Sequence, residues 1–98
     1  MSLQRQRGNA AERAIAKRLG GQRAGQFGGE DVAHAVYSIE CKERATLPTW
    51  LKDALAQAVG HAPAGKTPVV VLHELGGRHD GDMVVLRLRD FENLGEDV

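Results

Sequence analysis

The sequence has a single cysteine, Cys41, among its 98 residues. One cysteine cannot form an internal disulfide framework, and such a chain is typical of a reducing compartment. Long apolar runs are also lacking, since no segment approaches the roughly 20 residues that span a bilayer. The start, MSLQRQRGNAAER, is polar and has no signal-peptide core. These features predict a cytoplasmic protein with no membrane partner.

The chain also lacks net charge, because 13 basic and 13 acidic residues balance. The balance conceals a gradient. Residues 1–25 carry six basic residues against one acid, whereas residues 74–98 carry seven acids against three arginines. Local potential rather than total charge decides where phosphate binds, so the basic end is a candidate polyanion surface. The alternative is a solvated helix face.

The length predicts one domain, 1–98, with a flexible basic N-terminus at 1–8 and a flexible tail at 95–98. A chain of this size is near the lower end of what forms a self-sufficient core. Burial against a second copy would help it, so the size of the chain leaves a homodimer open.

The apolar spacing predicts a helix over residues 9–19, beginning about a turn earlier and ended by Gly20 and Gly21. The glycine-broken segment after it predicts a short strand near 22–27, a turn at Gly28 and Gly29, and one or two strands through 31–42.

A second helix is predicted from Thr46 as its cap, with Pro48 in the first turn and Gly60 as the C-cap. TPVVVLHE is typical of a strand covered on both faces, and MVVLRLRDF predicts a further strand. The order of elements predicts an α/β fold, with one mixed β-sheet flanked by helices.

Residues 60–67, GHAPAGKT, match the phosphate-binding pattern G-x-x-x-x-G-K-[ST]. That loop needs a strand before it and a helix after it, so that a helix N-terminus points at the phosphates. Here a helix precedes it and a strand follows, which predicts an αβ loop and no nucleotide cofactor. The four histidines show no tight metal-ligand spacing and do not favour a zinc site.

The stretch VYSIECKE, residues 36–43, places two charged residues in an apolar segment. Strand alternation puts Glu40 and Lys42 on one face, with Cys41 on the other as a small apolar residue facing the core. One interpretation is an edge strand with a solvated polar face. A hairpin, however, would bring Asp31 across from Glu40, and Glu12 lies in the first helix.

Carboxylates in this arrangement suit a hard cation, because Mg²⁺ binds through one or two carboxylates plus water and substrate phosphate. We expect Asp31, Glu40 and the main-chain carbonyl of Cys41 to hold the metal. Lys42 would orient or help deprotonate the attacking water during phosphodiester hydrolysis.

These residues resemble the PD-(D/E)xK nuclease superfamily, and within it the small archaeal and phage Holliday-junction resolvases and the viral-type (VRR-NUC) nuclease domains. The likeness rests on Glu12-Arg13, Asp31-Val32 and Ile39-Glu40-Cys41-Lys42, and extends to Gln57, the VVVLH strand and Arg89-Asp90-Phe91. It implies a restriction-endonuclease-like fold and a homodimeric, Mg²⁺-dependent endonuclease, in which Mn²⁺ can substitute. It also implies Glu12 as a further catalytic acid near the metal.

The expected substrate is branched double-stranded DNA, with a role in DNA recombination. The expected phosphate contacts are Arg5, Arg7, Arg13, Lys17 and Arg23, and Gln57 is either an active-site support or an ordinary surface glutamine. Two other functions remain open: a viral-type nuclease acting on flaps or other branched DNA, and a non-catalytic DNA-binding module with a nuclease fold.

Overall fold

The computed structural model describes the backbone of residues 3–24 and 29–94, and their side chains from residue 9 onward. These residues form a small mixed α/β arrangement of helices and two antiparallel sheets. The chain divides into two compact units, Met1–Ala45 and Thr46–Val98, which are described separately. The elements are α1 (Leu3–Leu19), β1 (Gln22–Arg23), β2 (Val32–Ala33), β3 (Ser38–Ile39), α2 (Thr49–His61), β4 (Val70–Leu72), β5 (Met83–Val85) and α3 (Leu88–Glu92), with a 3-10 turn at His79–Gly81.

Helix α1 confirms the helix predicted from the apolar spacing and begins earlier, at Leu3, so residues 3–8 of the predicted flexible start have helical backbone. Its end is defined by two glycines. Gly20 has a φ of +76°, and the backbone N–H of Gly21 donates to the carbonyl of Ala16 at 2.9 Å. This 6→1 bond after a left-handed residue is the Schellman motif, which satisfies a carbonyl that the helix leaves open.

The first unit contains an antiparallel sheet in the order β1-β2-β3. Val32 in the central strand and Ala16 in α1 are buried and form the core of this unit. Gly21 lets α1 and the sheet approach closely, because a Cβ at this position would collide with the carbonyl oxygen of Ala33. The predicted strand near 22–27 is confirmed for Gln22–Arg23, whereas residues 25–28 and the predicted tail at 95–98 lie outside the described residues.

Helix α2 in the second unit begins and ends later than predicted. Thr46 is not its cap: Pro48 occupies the N-cap position and makes no side-chain cap hydrogen bond. A residue preceding proline is disfavoured in the α region, which explains why the helix begins after Pro48 and does not include Leu47. Gly60 is not the C-cap either, because the helix continues to His61 and stops where Ala62, before Pro63, is extended at φ −71° and ψ 122°.

Strands β4 and β5 form a separate antiparallel pair in the second unit, with Val71 opposite Val84. These two residues are 59% and 60% exposed, so the prediction of a strand covered on both faces is wrong. Helix α2 contacts β4, but a two-stranded ribbon beside one helix leaves a face of the sheet open.

The last predicted strand is correct only as far as Val85. Leu88–Glu92 is helical instead, with Arg87 as the N-cap residue and Arg87 Nε donating to Asp90 Oδ2 at 2.8 Å. An acid in the first turn is stabilised by the partial positive charge at the N-terminus of a helix, and Asp90 therefore supports this local structure. The described strands thus pair in two antiparallel sheets where the sequence predicted one mixed sheet. Across the described residues, none of the helices combines the length and apolar character needed to cross a membrane.

Candidate functional site

Asp31 lies where β2 begins and is bonded on both sides of Glu40. Its backbone N–H donates to the carbonyl of Ile39 at 2.9 Å, and its Oδ2 accepts the backbone N–H of Cys41 at 2.7 Å. The β2–β3 hairpin, which pairs Val32 with Ile39, produces this arrangement. The structure therefore confirms that a hairpin brings Asp31 to the Glu40 segment, and it fixes the orientation of the carboxylate.

The turn of this hairpin is held by His34. Its Nδ1 accepts the backbone N–H groups of Val36 at 3.0 Å and Tyr37 at 3.3 Å, and its ring stacks on Tyr37 with centroids 4.9 Å apart. Because Nδ1 is the acceptor, a neutral ring carries its proton on Nε2. His34 is therefore a structural residue of the turn that places Asp31 beside Cys41.

Strand β3 ends at Ile39, so Glu40, Cys41 and Lys42 follow the strand rather than belonging to it. The predicted alternation persists in exposure: Ile39 and Cys41 are half-buried, whereas Glu40 and Lys42 are exposed. The Asp31 carboxylate takes the Cys41 N–H, which would otherwise need a backbone partner to continue the ladder. Glu40 and Lys42 are thus both exposed to solvent, on a segment that the hydrogen bond to Asp31 holds in place.

Cys41 is surrounded by negative charge. Burial raises the pKa of its thiol, and the nearby carboxylates of Asp31, Glu12 and Glu40 raise it further. The three predicted acids, which come from α1 and from both ends of the hairpin, thus all raise the pKa of the same thiol. Cys41 was predicted as a small apolar residue facing the core, whereas in the structure it is a free cysteine that is only half-buried.

Glu12 is hydrogen-bonded to Arg23 in the same unit. Its Oε2 accepts a hydrogen bond from Nε of Arg23 at 2.7 Å, and an Nη of the same guanidinium donates to Asn9 Oδ1 at 2.6 Å. Asn9 and Glu12 lie three residues apart and therefore share a face of α1. Arg23, predicted as a phosphate contact, is thus committed to two side chains of the helix and orients Glu12.

The three acids do not converge tightly enough to form a ready three-ligand cage. In the described part of the chain, the one group of three potential ligand side chains with all ligand atoms within 4.8 Å is His73, His79 and Asp82. Sequence spacing showed no sign of this group, since the hairpin register of β4 and β5 brings its members together. Leu72 pairs with Met83, which places His73 and Asp82 opposite each other as the next residues outward, and this register cannot be read from the spacing of the histidines.

The remaining predicted residues are distributed over both units. Arg13 and Lys17 are exposed and four residues apart on α1, so they share one face. Arg5 and Arg7 lie in the backbone of α1, but their side chains are outside the described residues. Gln57 is exposed on α2 in the second unit.

The segment Gly60–Thr67 has the context that the sequence predicted. Helix α2 includes its first two residues, and strand β4 follows it. Its turn has Gly65 at a φ of +84°, with the backbone N–H of Lys66 bonded to the carbonyl of Pro63. No helix begins after Thr67 within this part of the described chain, so the segment lacks the helix N-terminus of a phosphate-binding loop.

Comparison of the chain with known proteins gave no match to a family model, to a curated protein or to a solved structure. The likeness to PD-(D/E)xK nucleases therefore rests on the residues quoted from the sequence.

Proposed function

We propose that the protein is a Mg²⁺-dependent, structure-selective DNA endonuclease similar to the Holliday-junction resolvases. The observation that supports this most strongly is the bonding of Asp31 to both neighbours of Glu40, at 2.9 Å to the Ile39 carbonyl and 2.7 Å from the Cys41 N–H. Two carboxylates from sequence-distant positions are thereby kept on one end of a hairpin. The proposal includes the restriction-endonuclease-like fold. The order α1-β1-β2-β3-α2-β4-β5 supports it, while the described strands pair in two antiparallel sheets rather than in one mixed sheet.

The donor atoms at this end of the hairpin fit a hard divalent cation. Asp31 and Glu40 would hold Mg²⁺ together with the main-chain carbonyl of Cys41, because Mg²⁺ prefers oxygen ligands. Oδ2 of Asp31 accepts a hydrogen bond from the Cys41 N–H. The same bond fixes the orientation of the carboxylate and therefore of Oδ1. When bound, the metal would supply charge stabilisation at the phosphoryl oxygen and a more acidic water.

Side chains of the protein would perform the remaining steps. Lys42, exposed two residues after Glu40, would orient the attacking water and offset negative charge that develops on the phosphate. Glu12 would act as a further acid, with Arg23 fixing its Oε2 at 2.7 Å. Arg13 and Lys17, on one face of α1, would contact the DNA backbone without reading its bases.

Substitution of Glu40 tests the catalytic assignment. Glu40→Gln and Asp31→Asn keep the size of each side chain and remove its charge, so we expect Mg²⁺-dependent cleavage to disappear while DNA binding survives. Glu43→Gln is the matched control, because it removes a nearby exposed carboxylate that has no proposed role. Full cleavage by Glu40→Gln would reject the proposal. It would also be rejected if the unchanged chain cleaved none of the DNA substrates with Mg²⁺ and none with Mn²⁺.

The substrate is tested by comparing four-way junctions, flaps and linear duplex. Symmetric paired incisions in a four-way junction are expected of a homodimeric resolvase, and sedimentation of the chain with the junction would report two copies. Preference for flaps would instead support the viral-type nuclease. Binding of branched DNA without cleavage would support the non-catalytic module.

A further inference from the structure

The end of the β4–β5 hairpin gathers two imidazoles around one carboxylate. His73 Nδ1 lies 2.6 Å from Asp82 Oδ1, and His79 Nδ1 lies 3.0 Å from Asp82 Oδ2. The two rings are stacked, with centroids 4.3 Å apart. We propose that His73, His79 and Asp82 bind a divalent transition-metal ion of the Zn²⁺ class, at a site separate from the proposed nuclease centre.

The local structure explains why these side chains meet. Leu72 pairs with Met83, so His73 and Asp82 are the next residues outward on the two strands. His79 begins the 3-10 turn His79–Gly81, which returns the chain so that the backbone N–H of Asp82 donates to the His79 carbonyl at 3.0 Å. The hairpin register and the turn therefore fix the three positions independently of any metal.

The distances are close to those of a metal site. Zinc bonds of about 2.0–2.2 Å place two ligand atoms of a tetrahedral ion roughly 3.3 Å apart. The two nitrogen–oxygen distances of 2.6 and 3.0 Å need to widen by less than about 1 Å to admit the ion. The His79 side chain is 83% exposed and can rotate out of its stack, whereas the Asp82 side chain is only 12% exposed and anchors the site.

The ligand types select the kind of metal. Imidazole nitrogen suits Zn²⁺, Co²⁺, Ni²⁺ and Cu²⁺, while Mg²⁺ favours an all-oxygen shell. Three protein ligands leave a fourth position for water, as in zinc sites that remain open, rather than the closed four-ligand set of a structural site. The cluster and the Asp31 hairpin therefore differ in the metal that each would take.

A purely structural role is the competing explanation, in which Asp82 accepts one hydrogen bond from each imidazole and ties the hairpin end. Both explanations predict that loss of Asp82 weakens the hairpin. Only the metal site predicts saturable binding that requires both histidines. The decisive measurement is therefore metal binding to histidine variants that keep Asp82.

The test uses the full chain without a histidine tag, stripped with chelator and titrated with ZnCl₂ by calorimetry. We expect one ion per chain. In His73→Ala and His79→Ala we expect a loss of affinity larger than the about 10–100-fold that removal of an outer-shell partner costs. His61→Ala is the control, because His61 is an exposed histidine on α2. Circular dichroism would confirm that each variant is folded.

A second measurement identifies the ligands. Co²⁺ in place of Zn²⁺ should give visible absorption typical of a four-coordinate site in the unchanged chain and in His61→Ala, but not in His79→Ala. Zn²⁺ should also raise the melting temperature of the same two proteins only. Absence of Zn²⁺ binding by the unchanged chain would overturn the proposal, and so would equal binding by His79→Ala. Mg²⁺-dependent DNA cleavage by His79→Ala should be unchanged, so failure of either proposal can be recognised separately.

Discussion

Asp31 accepts the backbone N–H of Cys41 through Oδ2 at 2.7 Å, across a separation of ten residues. This bond joins the first residue before β2 to the segment after β3, and it places Glu40 between two positions that Asp31 contacts. The geometry of the candidate centre therefore depends on a hairpin with strands of only two residues each. Changes in the hairpin should be measurable at the site itself.

The thiol of Cys41 should report the charge of the site. Because its pKa is raised by burial and by nearby carboxylates, less thiolate is present at a given pH, and alkylation by iodoacetamide should be slower than that of an ordinary cysteine. Asp31→Asn removes one of these charges while its amide oxygen can still accept the Cys41 N–H. We expect the pH midpoint of alkylation to fall in this variant. An unshifted midpoint would show that Asp31 does not act on the thiol.

His34→Ala should weaken the hairpin turn. Two backbone N–H groups, of Val36 and Tyr37, lose their shared acceptor, and the stacking on Tyr37 is removed as well. We expect the free energy of unfolding in urea to decrease by about 1–2 kcal/mol, because a hydrogen bond contributes about 0.5–1.5 kcal/mol net. His61→Ala, at an exposed position of α2, should change it by less than about 0.5 kcal/mol. Equal effects of the two variants would contradict a structural role for His34.

Two glycine substitutions should have opposite effects on stability. A Cβ on Gly21 would collide with the carbonyl oxygen of Ala33 and lie 2.9 Å from Cγ1 of Val32, so Gly21→Ala should destabilise the chain by about 1–3 kcal/mol. Gly60 lies inside α2 and has no atom within 4 Å of its ideal Cβ. Gly60→Ala should therefore stabilise the chain by about 0.5–1 kcal/mol. Thermal unfolding of both variants would reveal the expected difference in sign.

The basic face of α1 should control the salt dependence of DNA binding. If Arg13 and Lys17 each neutralise a phosphate, the alanine variant of either residue should reduce the slope of log K against log salt by about 0.9. Arg89→Ala is the control, since Arg89 is exposed on α3 in the second unit. If Arg89→Ala reduced the slope of log K against log salt as much, phosphate binding would not be specific to the basic face of α1. Fluorescence anisotropy of a labelled junction at several salt concentrations gives the slopes.

The features predicted correctly from the sequence are those encoded locally. Apolar spacing followed by Gly20 and Gly21 predicted α1 and its end, since a left-handed residue after the last turn needs no partner distant in sequence. The hairpin bringing Asp31 to Glu40 was likewise predictable, because a short turn forces neighbouring strands to pair.

The features that were missed depend on register or on neighbouring residues. His73, His79 and Asp82 meet only when Leu72 pairs with Met83, and no spacing of histidines in the sequence reveals that pairing. The end of α2 was placed at Gly60 because glycine commonly follows a helix, but the proline at residue 63 governed where the helix stopped. Helix α3 was missed because the β-prone residues before it obscured the local Arg87 and Asp90 pair.

The pairing of β2 with β3 and of β4 with β5 has a consequence for how the protein folds. Each pair joins strands that are near neighbours in the chain, with Val32 opposite Ile39 and Leu72 opposite Met83. Closing such short loops costs little entropy, and topologies rich in local contacts fold quickly. The bond between Asp31 and Cys41 can therefore form in the early steps of folding, before distant parts of the sequence have met.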